Sequence, residues 1–264
     1  MDAMPVLFIG HGSPMNAIED NRYSRAWRAL GRRLPRPRAV LCVSAHWQTA
    51  GLRVGGARQP HTIHDFGGFP RRLYEVQYPA PGDPALAVHV TGLLDPALQP
   101  VIDPAYGLDH GAWQVLVHLF PQADVPVVQL SLDMRRDGRE HYAIARMLAP
   151  LRKDGVLVLG SGNIVHNLRL LDFSDPDPLP WAERFRDHVN ALILEGPREA
   201  LADLASLPDA RLAVPTPEHY LPLLYALALA RPGDALELLT DEVSSSLSMT
   251  SLAIGLDPVP RHRH

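Results

Sequence analysis

Short apolar runs rich in branched residues alternate with stretches of helical periodicity along most of the chain, and this alternation constrains the fold most. Strands are predicted at Pro5–Ile9, Ala39–Ser44, Val125–Leu132, Val156–Leu159, Leu236–Leu239 and Leu247–Ile254. Helices are predicted at Tyr23–Leu34, Pro84–Leu94, Gly111–Leu119, Glu140–Leu151, Pro180–Leu194 and Tyr220–Ala230. Because continuous apolar strands need cover on both faces, the pattern predicts an α/β fold with a largely parallel sheet between helices.

Length, charge and cysteine content limit the possible functions. The 264 residues contain no clear linker, so one domain over residues 1–264 is predicted, with Pro258–His264 as a flexible tail. The net charge of −4 and the absence of long basic runs argue against nucleic acid and membrane partners. The single cysteine, Cys42, cannot form an internal disulfide, which favours a cytoplasmic location. A monomer or a small homo-oligomer is expected.

Three of the thirteen histidines follow directly on predicted strands. His11 and His46 lie just beyond the first two strands, and His166 follows Val156–Leu159 after a glycine-containing turn. Ligands of open α/β sheets bind beyond the carboxyl ends of the strands, so these three imidazoles are predicted to share one site. The alternative is that the glycines serve tight turns and the histidines cap helices. Three such placements together favour the site.

The positions of the other histidines indicate their roles less clearly. His110 and His219 precede predicted helices, where they could face the same cleft or belong to helix caps. His61 and His64 lie in the long irregular segment 52–82. They could contact a substrate or face water, and the pattern does not favour either alternative. The histidines within predicted helices, which are not site candidates, are His89, His118, His141 and His188.

The available ligands narrow the kind of metal site. No CxxC pair occurs, which excludes a thiolate zinc site. Two histidines with one carboxylate would suit Fe(II) and oxygen chemistry, whereas three or four histidines could equally hold Zn(II). Glu218 and His219 are adjacent, so the third ligand stays open at this point.

Seven segments in a fixed order resemble the motifs of the class III extradiol ring-cleavage dioxygenases, and more closely those of the bacterial 4,5-DOPA dioxygenase branch. They extend over nearly the whole chain, and as a set they are highly specific. The segments are Phe8–Asn16, Val43–Trp47, Thr62–Pro70, Tyr78–Gly82, Gly107–Gly111, Gly160–Asn167 and Pro215–Pro222.

The resemblance implies a three-layer α/β/α domain with a mixed, largely parallel sheet and one divalent metal. It implies that His11, His46 and His219 bind this metal, with His166 close enough to be a fourth ligand. Glu218 is the alternative third ligand, because the wider superfamily uses a glutamate in this region. Histidines that match His110 and His166 act there as acid/base residues, so His166 has two possible roles.

The implied reaction is extradiol cleavage of a catechol, such as a DOPA-like compound, by O₂ at Fe(II), with Zn(II) as another metal that the site could bind. His64, Asp65, Arg71 and Tyr78 are predicted to contact polar groups of the substrate, and the alternative for each of them is ordinary loop solvation. Trp47 and Phe66 are predicted to form the wall of an aromatic pocket, and the alternative for both is core packing. Two rival hypotheses are a zinc hydrolase or amidase that uses the same histidines, and a non-catalytic module that binds an aromatic compound or a metal.

Overall fold

A six-stranded sheet forms the centre of the molecule. The computed structural model describes residues 3–172 and 174–257. Its strands are β1 Val6–Gly10, β2 Ala39–Ser44, β3 Gln48–Thr49, β4 Arg53–Gly55, β5 Val101–Asp103, β6 Val127–Gln129, β7 Leu132–Asp133, β8 Val156–Gly162, β9 Leu236–Thr240, β10 Val243–Ser244, β11 Leu247–Ser248 and β12 Ser251–Ile254. The strand order of the central sheet is β6-β2-β8-β1-β12-β9.

Helices cover the sheet on both sides. The α-helices are α1 Arg22–Arg33, α2 Arg71–Tyr74, α3 Pro84–Leu93, α4 His110–Leu119, α5 Gly138–Met147, α6 Pro180–Leu194, α7 Ala210–Ala213 and α8 Leu221–Ala228. Short 3-10 helices lie at Pro14–Ala17, Pro96–Leu98, Ala149–Arg152, Arg198–Ala202, Leu204–Ser206 and Pro217–His219. No helix in the described part of the chain is both long and apolar enough to cross a membrane.

Alternate residues of each central strand enter two separate cores. In β1, Leu7 and Ile9 pack with Trp27 of α1 and Trp113 of α4, whereas Phe8 and its neighbour Val6 belong to the opposite core with α5 and α8. This division follows from the two-residue period of a strand. The predicted α/β/α arrangement with a mixed sheet is therefore confirmed.

The direction of the strands positions the functional site. Strands β6, β2, β8 and β1 are parallel, and β12 and β9 add antiparallel pairs at one edge. The carboxyl ends of β1, β2 and β8 therefore lie at the same edge of the sheet. His11, His46 and His166 follow these three ends in sequence.

Several predicted boundaries differ from the structure. The predicted strand Val125–Leu132 is divided, because β6 stays in the main sheet while β7 pairs with β3 in a small second sheet. The predicted strand Leu247–Ile254 is likewise divided into β11 and β12, and the predicted helix Glu140–Leu151 is α5 followed by a 3-10 turn that contains Pro150. Proline lacks the N–H that a continuous α-helix needs at this point. The predicted tail, Pro258–His264, lies outside the described residues.

His141, a buried residue of α5 distant from the cavity, makes the stability of the fold depend on pH. Its Nδ1 lies 2.9 Å from the hydroxyl of Tyr225, and burial lowers its pKa from 6.5 to about 4. The unfolded chain therefore binds an extra proton between these two pH values. The contribution of His141 to stability is unchanged above pH 6.5, declines as the pH falls through this window, and reaches its lowest value below pH 4.

We expect the His141→Phe variant to lose less stability than the unsubstituted protein when the pH falls from 7.5 to 4. The difference should be up to roughly 3 kcal/mol, which is the free energy of a shift of this size. Denaturant unfolding of the metal-free proteins at both pH values measures it. An identical loss of stability in both proteins would contradict the assignment.

Candidate metal centre

A cavity of about 260 Å³ opens at the carboxyl edge of the sheet. Five imidazoles from distant parts of the chain line it together with apolar side chains. The lining residues are His11, Gly12, Ser13, Pro14, His46, Phe66, Phe69, His110, His166, Leu168, Leu171, His219 and Leu247. The structure thus brings together all five histidines that were predicted as ligands or acid/base residues.

His11 is held in one tautomer by its surroundings. Its Nδ1 lies 3.0 Å from the hydroxyl oxygen of Ser161, and that hydroxyl donates its only hydrogen to the carbonyl of Gly111 at 2.5 Å. Ser161 must therefore accept the hydrogen bond, so His11 carries its proton on Nδ1. The Nε2 lone pair of His11 is left for a ligand in the cavity.

Carboxylates lie behind two further rings. Oδ2 of Asp65 lies 3.3 Å from Nδ1 of His46, and Oε1 of Glu218 lies 3.2 Å from Nδ1 of His219. Glu218 accepts a hydrogen bond from His219, so this imidazole carries its proton on Nδ1, whereas the contact of Asp65 with His46 lacks hydrogen-bond geometry. Oxygen partners behind the ring are typical of metal-binding histidines, because they fix both the tautomer and the ring orientation.

The spacing of His11 and His46 fits one metal ion, and the ring of His219 lies at similar distances from both; a ligand atom of His219 also lies within 4.8 Å of ligand atoms of His166 and Glu218. Nε2 of His11 and Nε2 of His46 are 3.2 Å apart, and both can bind one ion when their protons are on Nδ1. Two nitrogens bound at about 2.1 Å to one ion in tetrahedral or octahedral geometry lie about 3.0–3.4 Å apart. The ring centres are 5.1, 5.4 and 5.0 Å apart, close to the about 4.6–5.3 Å that the same geometry requires.

His110 also has a nitrogen near those of His11 and His46, all within 4.8 Å of one another. Its ring centre, however, lies only 3.9 Å from that of His46 and 5.8 Å from that of His11. This uneven spacing fits a common ion less well than the nearly equal distances that involve His219. Asp65 approaches His110 as well, with Oδ2 3.0 Å from Nδ1 and with Oδ1 accepting the backbone N–H at 2.8 Å.

His166 lies flat against His219. Their ring centres are 3.4 Å apart and the planes differ by 6°, a stacked arrangement. Two imidazoles that point to one ion are not stacked so closely, because their ring centres would be at least about 4.6 Å apart. The arrangement therefore favours the acid/base role of His166 over the role of fourth ligand.

The imidazoles of His11, His46, His166 and His219 are uncharged at neutral pH. Burial is the main cause that lowers the pKa of His11 and His219 well below 6.5, and neighbouring imidazoles add to it. Burial likewise lowers the pKa of His46 to about 3 and that of His166 to about 4. Neutral imidazole is the form that binds a metal or accepts a proton.

The residues predicted to contact the substrate lie mostly behind the cavity. His64 is 2.9 Å from the carbonyl of Val76 through Nε2, and Tyr78 is buried with its hydroxyl donating to the carbonyl of Phe120 at 3.0 Å. Neither residue lines the cavity, because the loop turns both inward. Asp65 faces His46 and His110 rather than open space, so the structure gives it a supporting position.

Of the other residues predicted to contact the substrate or to form the pocket wall, two lie outside the cavity lining and one lies in it. Arg71 is an exposed residue whose side chain pairs with Glu75 at 2.9 Å. Trp47 stacks on Tyr106 with ring centres 4.0 Å apart, outside the cavity lining. Phe66 does line the cavity, as predicted, and contacts Phe69, which the sequence analysis did not single out.

Glycines allow the backbone to pack tightly under the histidines. A Cβ atom at Gly162 would lie 2.1 Å from the carbonyl oxygen of His219, and one at Gly111 would lie 2.4 Å from Oγ of Ser44. One at Gly160 would lie 2.3 Å from the carbonyl oxygen of Pro222. The end of β8 therefore directly contacts the segment that carries His219.

Two groups of functional residues were missed from the sequence. Ser161, between two glycines at the end of β8, had a positional signal that could have identified it. Leu168, Leu171 and Leu247 had none, because apolar residues in a sequence indicate core packing as readily as a cavity wall.

Comparisons with known proteins agree with this arrangement. Residues 5–254 match the family described as the catalytic LigB subunit of aromatic ring-opening dioxygenase. A 4,5-DOPA dioxygenase extradiol from Escherichia coli is 47% identical over 96% of this chain and 95% of its own length. The protein of the same name from Beta vulgaris is 38% identical, and the match covers 88% of this chain and 89% of that protein. The crystal structure of an uncharacterised Escherichia coli K12 protein superposes with a TM-score of 0.84 and 43% identity, and the match covers 96% of this chain and 100% of that one.

Proposed function

Since the chain belongs to the family of the catalytic LigB subunit of aromatic ring-opening dioxygenases, we propose that this metal-dependent extradiol dioxygenase opens the ring of a catechol beside one of its two hydroxyl groups. Both atoms of O₂ enter the product, a ring-opened muconic semialdehyde, so no external reductant is needed. With a DOPA-type substrate, such as the names of the relatives indicate, the product could cyclise to a compound of the betalamic acid type.

The observation that carries the proposal is the convergence of three imidazoles, of which His11 and His219 have hydrogen bonds that leave their Nε2 lone pairs free. His11, His46 and His219 would hold one divalent metal, and Glu218 would orient His219 rather than bind the ion. We propose Fe(II) for activity, because oxygen chemistry needs a redox-active ion, although the same donors also accept Zn(II). When bound, the metal would supply Lewis acidity and a path for electrons between the catechol and O₂.

The protein itself would move protons and exclude water. His166, uncharged at neutral pH, would accept a proton from a catechol hydroxyl. His110, with Asp65 3.0 Å from its Nδ1, would donate a proton as the O–O bond breaks. Phe66 and Phe69 would hold the aromatic ring against the histidines and keep bulk water away.

The decisive experiment compares the metal-free protein with the protein loaded anaerobically with Fe(II) or Zn(II). With Fe(II), we expect one O₂ consumed for each catechol, with the appearance of a yellow ring-opened product. Loss of substrate without oxygen uptake would instead favour the zinc hydrolase. A protein that binds catechol but never converts it would favour the binding module. The proposed location is the cytoplasm, which cell fractionation tests.

Asp65 has a specific place in this proposal, because one carboxylate supports both a metal ligand and an acid/base residue. We expect Asp65→Asn to lower kcat/KM for catechol cleavage about ten- to hundredfold and to weaken metal binding, since the negative charge next to Nδ1 of His46 and of His110 is lost. Asp103→Asn is the matched control, because Asp103 binds Arg53 at 3.3 Å and does not line the cavity. Full metal affinity and turnover in Asp65→Asn would remove this role.

A further inference from the structure

A fully buried carboxyl group, that of Asp109, lies outside the cavity lining and has no part in the proton transfers proposed above. Four donors contact its two oxygens. Oδ1 accepts hydrogen bonds from the hydroxyl of Ser44 at 2.6 Å and the backbone N–H of Ala112 at 3.2 Å, and Oδ2 accepts them from Nε2 of Gln129 at 2.8 Å and the hydroxyl of Tyr106 at 3.2 Å. Burial raises the pKa of Asp109, and the hydrogen bonds from Ser44 and Gln129 oppose this rise. A carboxyl group is costly to remove from water, and this set of donors offsets the cost.

Ser44 links this carboxyl group to His46. Its Oγ accepts the backbone N–H of His46 at 3.2 Å, and its only hydrogen is donated to Asp109. The packing around this link is close, because a Cβ atom at Gly111 would lie 2.4 Å from Oγ of Ser44 and 2.9 Å from Cδ2 of His46. The end of β2, the imidazole of His46 and the first turn of α4 are therefore in direct contact.

Asp109 also fixes the start of α4. It is the N-cap residue of this helix, and His110 is the first helical residue. The backbone N–H of Asp109 donates to Oε1 of Gln129 at 3.1 Å, which attaches the cap to the end of β6. The ring centre of His110 lies 3.9 Å from that of His46. One carboxyl group thus restrains the backbone at both of these histidines.

From these contacts we propose that Asp109 is a positioning residue, which sets the separation of the His46 and His110 imidazoles through the hydroxyl of Ser44 and the cap of α4. The inference rests on the proposed catechol cleavage, in which His46 would bind the metal and His110 would donate a proton. A displacement of about 1 Å within a site can lower a rate about a hundredfold. Loss of the link should therefore lower kcat, and it should also weaken metal binding by His46.

Ser44→Ala removes the link to His46 and leaves the cap of α4 in place. Ser131→Ala is the matched control, because Ser131 is an equally buried serine that accepts the backbone N–H of Arg53 at 2.8 Å and lies outside the cavity lining. For both variants we would measure the free energy of unfolding, the affinity of the metal-free protein for Zn(II), and kcat of the Fe(II)-loaded protein. We expect a similar loss of stability in both, whereas only Ser44→Ala should weaken Zn(II) binding and lower kcat, each at least about tenfold.

Equal Zn(II) affinity and equal kcat in the two variants would show that the link to Ser44 serves only the stability of the fold, and this result would overturn the inference. If the unsubstituted protein cleaves no catechol, the proposed function fails. The Zn(II) affinities would still decide whether the link positions His46.

Asp109→Ser separates positioning from helix capping. Serine is also a favoured N-cap residue, but its side chain is too short to reach both Ser44 and Gln129. We expect Asp109→Ser to retain its helix content by circular dichroism and to lose at least about tenfold in kcat. Ser44→Ala should lower kcat less than about twofold further in this background, because both substitutions break the same link. Wild-type kcat in Asp109→Ser would reduce Asp109 to a helix cap, and independent effects of the two substitutions would refute the route through Ser44.

Discussion

Replacement of His11 by alanine should leave a folded protein that holds no stoichiometric metal and cleaves catechol at least about a thousandfold more slowly. The reason is geometric: Nε2 of His11 lies 3.2 Å from Nε2 of His46, and without it two of the three proposed nitrogen ligands remain. An alanine cannot replace the lost bond, and the small side chain should not disturb β1.

Metal content and oxygen uptake measure this effect on the same samples. His89→Ala is the matched control, because His89 is an exposed helical histidine that pairs with Asp154 at 3.0 Å and lies outside the cavity. We expect this control to keep full metal content and activity. One metal per chain together with normal turnover in His11→Ala would show that the metal is bound elsewhere.

The second prediction with a large effect distinguishes a residue that transfers protons from a residue that binds the metal. His166 and His219 are stacked 3.4 Å apart, so the same substitution at each changes neighbouring parts of one site. We expect His219→Ala to lose the metal. His166→Ala should keep it and yet lose about a hundred- to ten-thousandfold in kcat, the usual contribution of a positioned acid or base.

Metal content of the two variants, followed by single-turnover kinetics of the loaded proteins, distinguishes the roles. If His166→Ala also loses the metal, His166 is a ligand, and His110 becomes the main acid/base residue. If His166→Ala keeps both the metal and the wild-type kcat, neither role holds. The protonation step would then need another group.

The strand ends could be predicted because their physical signals are local. Apolar runs identified β1, β2 and β8, and the rule that ligands bind beyond parallel strands placed His11, His46 and His166 at one edge. Tertiary pairing altered the details, since Leu130 and Ser131 separate β6 from β7 and β7 pairs in a different sheet. Such pairing depends on distant segments that a local pattern does not contain.

The loop between β4 and α3 could not be predicted in the same way. Its residues have no periodicity, so the sequence indicated only that Asp65 and Tyr78 belong to a functional segment. In the structure one turns toward two histidines and the other into the core. Leu168 and Leu247, which line the cavity, escaped prediction for the converse reason, because they resemble ordinary core residues until the cavity is visible.

The close backbone packing at Gly111, Gly160 and Gly162 has a consequence for how this scaffold can diversify. At these positions even one methyl group would overlap atoms of the segments that carry the imidazoles, so the base of the cavity has almost no freedom to vary. The loops that contribute Phe66, Phe69, Leu168 and Leu171 to the cavity are not restricted in this way. New substrate preferences should therefore arise by exchange of side chains across the opening, while the reacting centre itself stays unaltered.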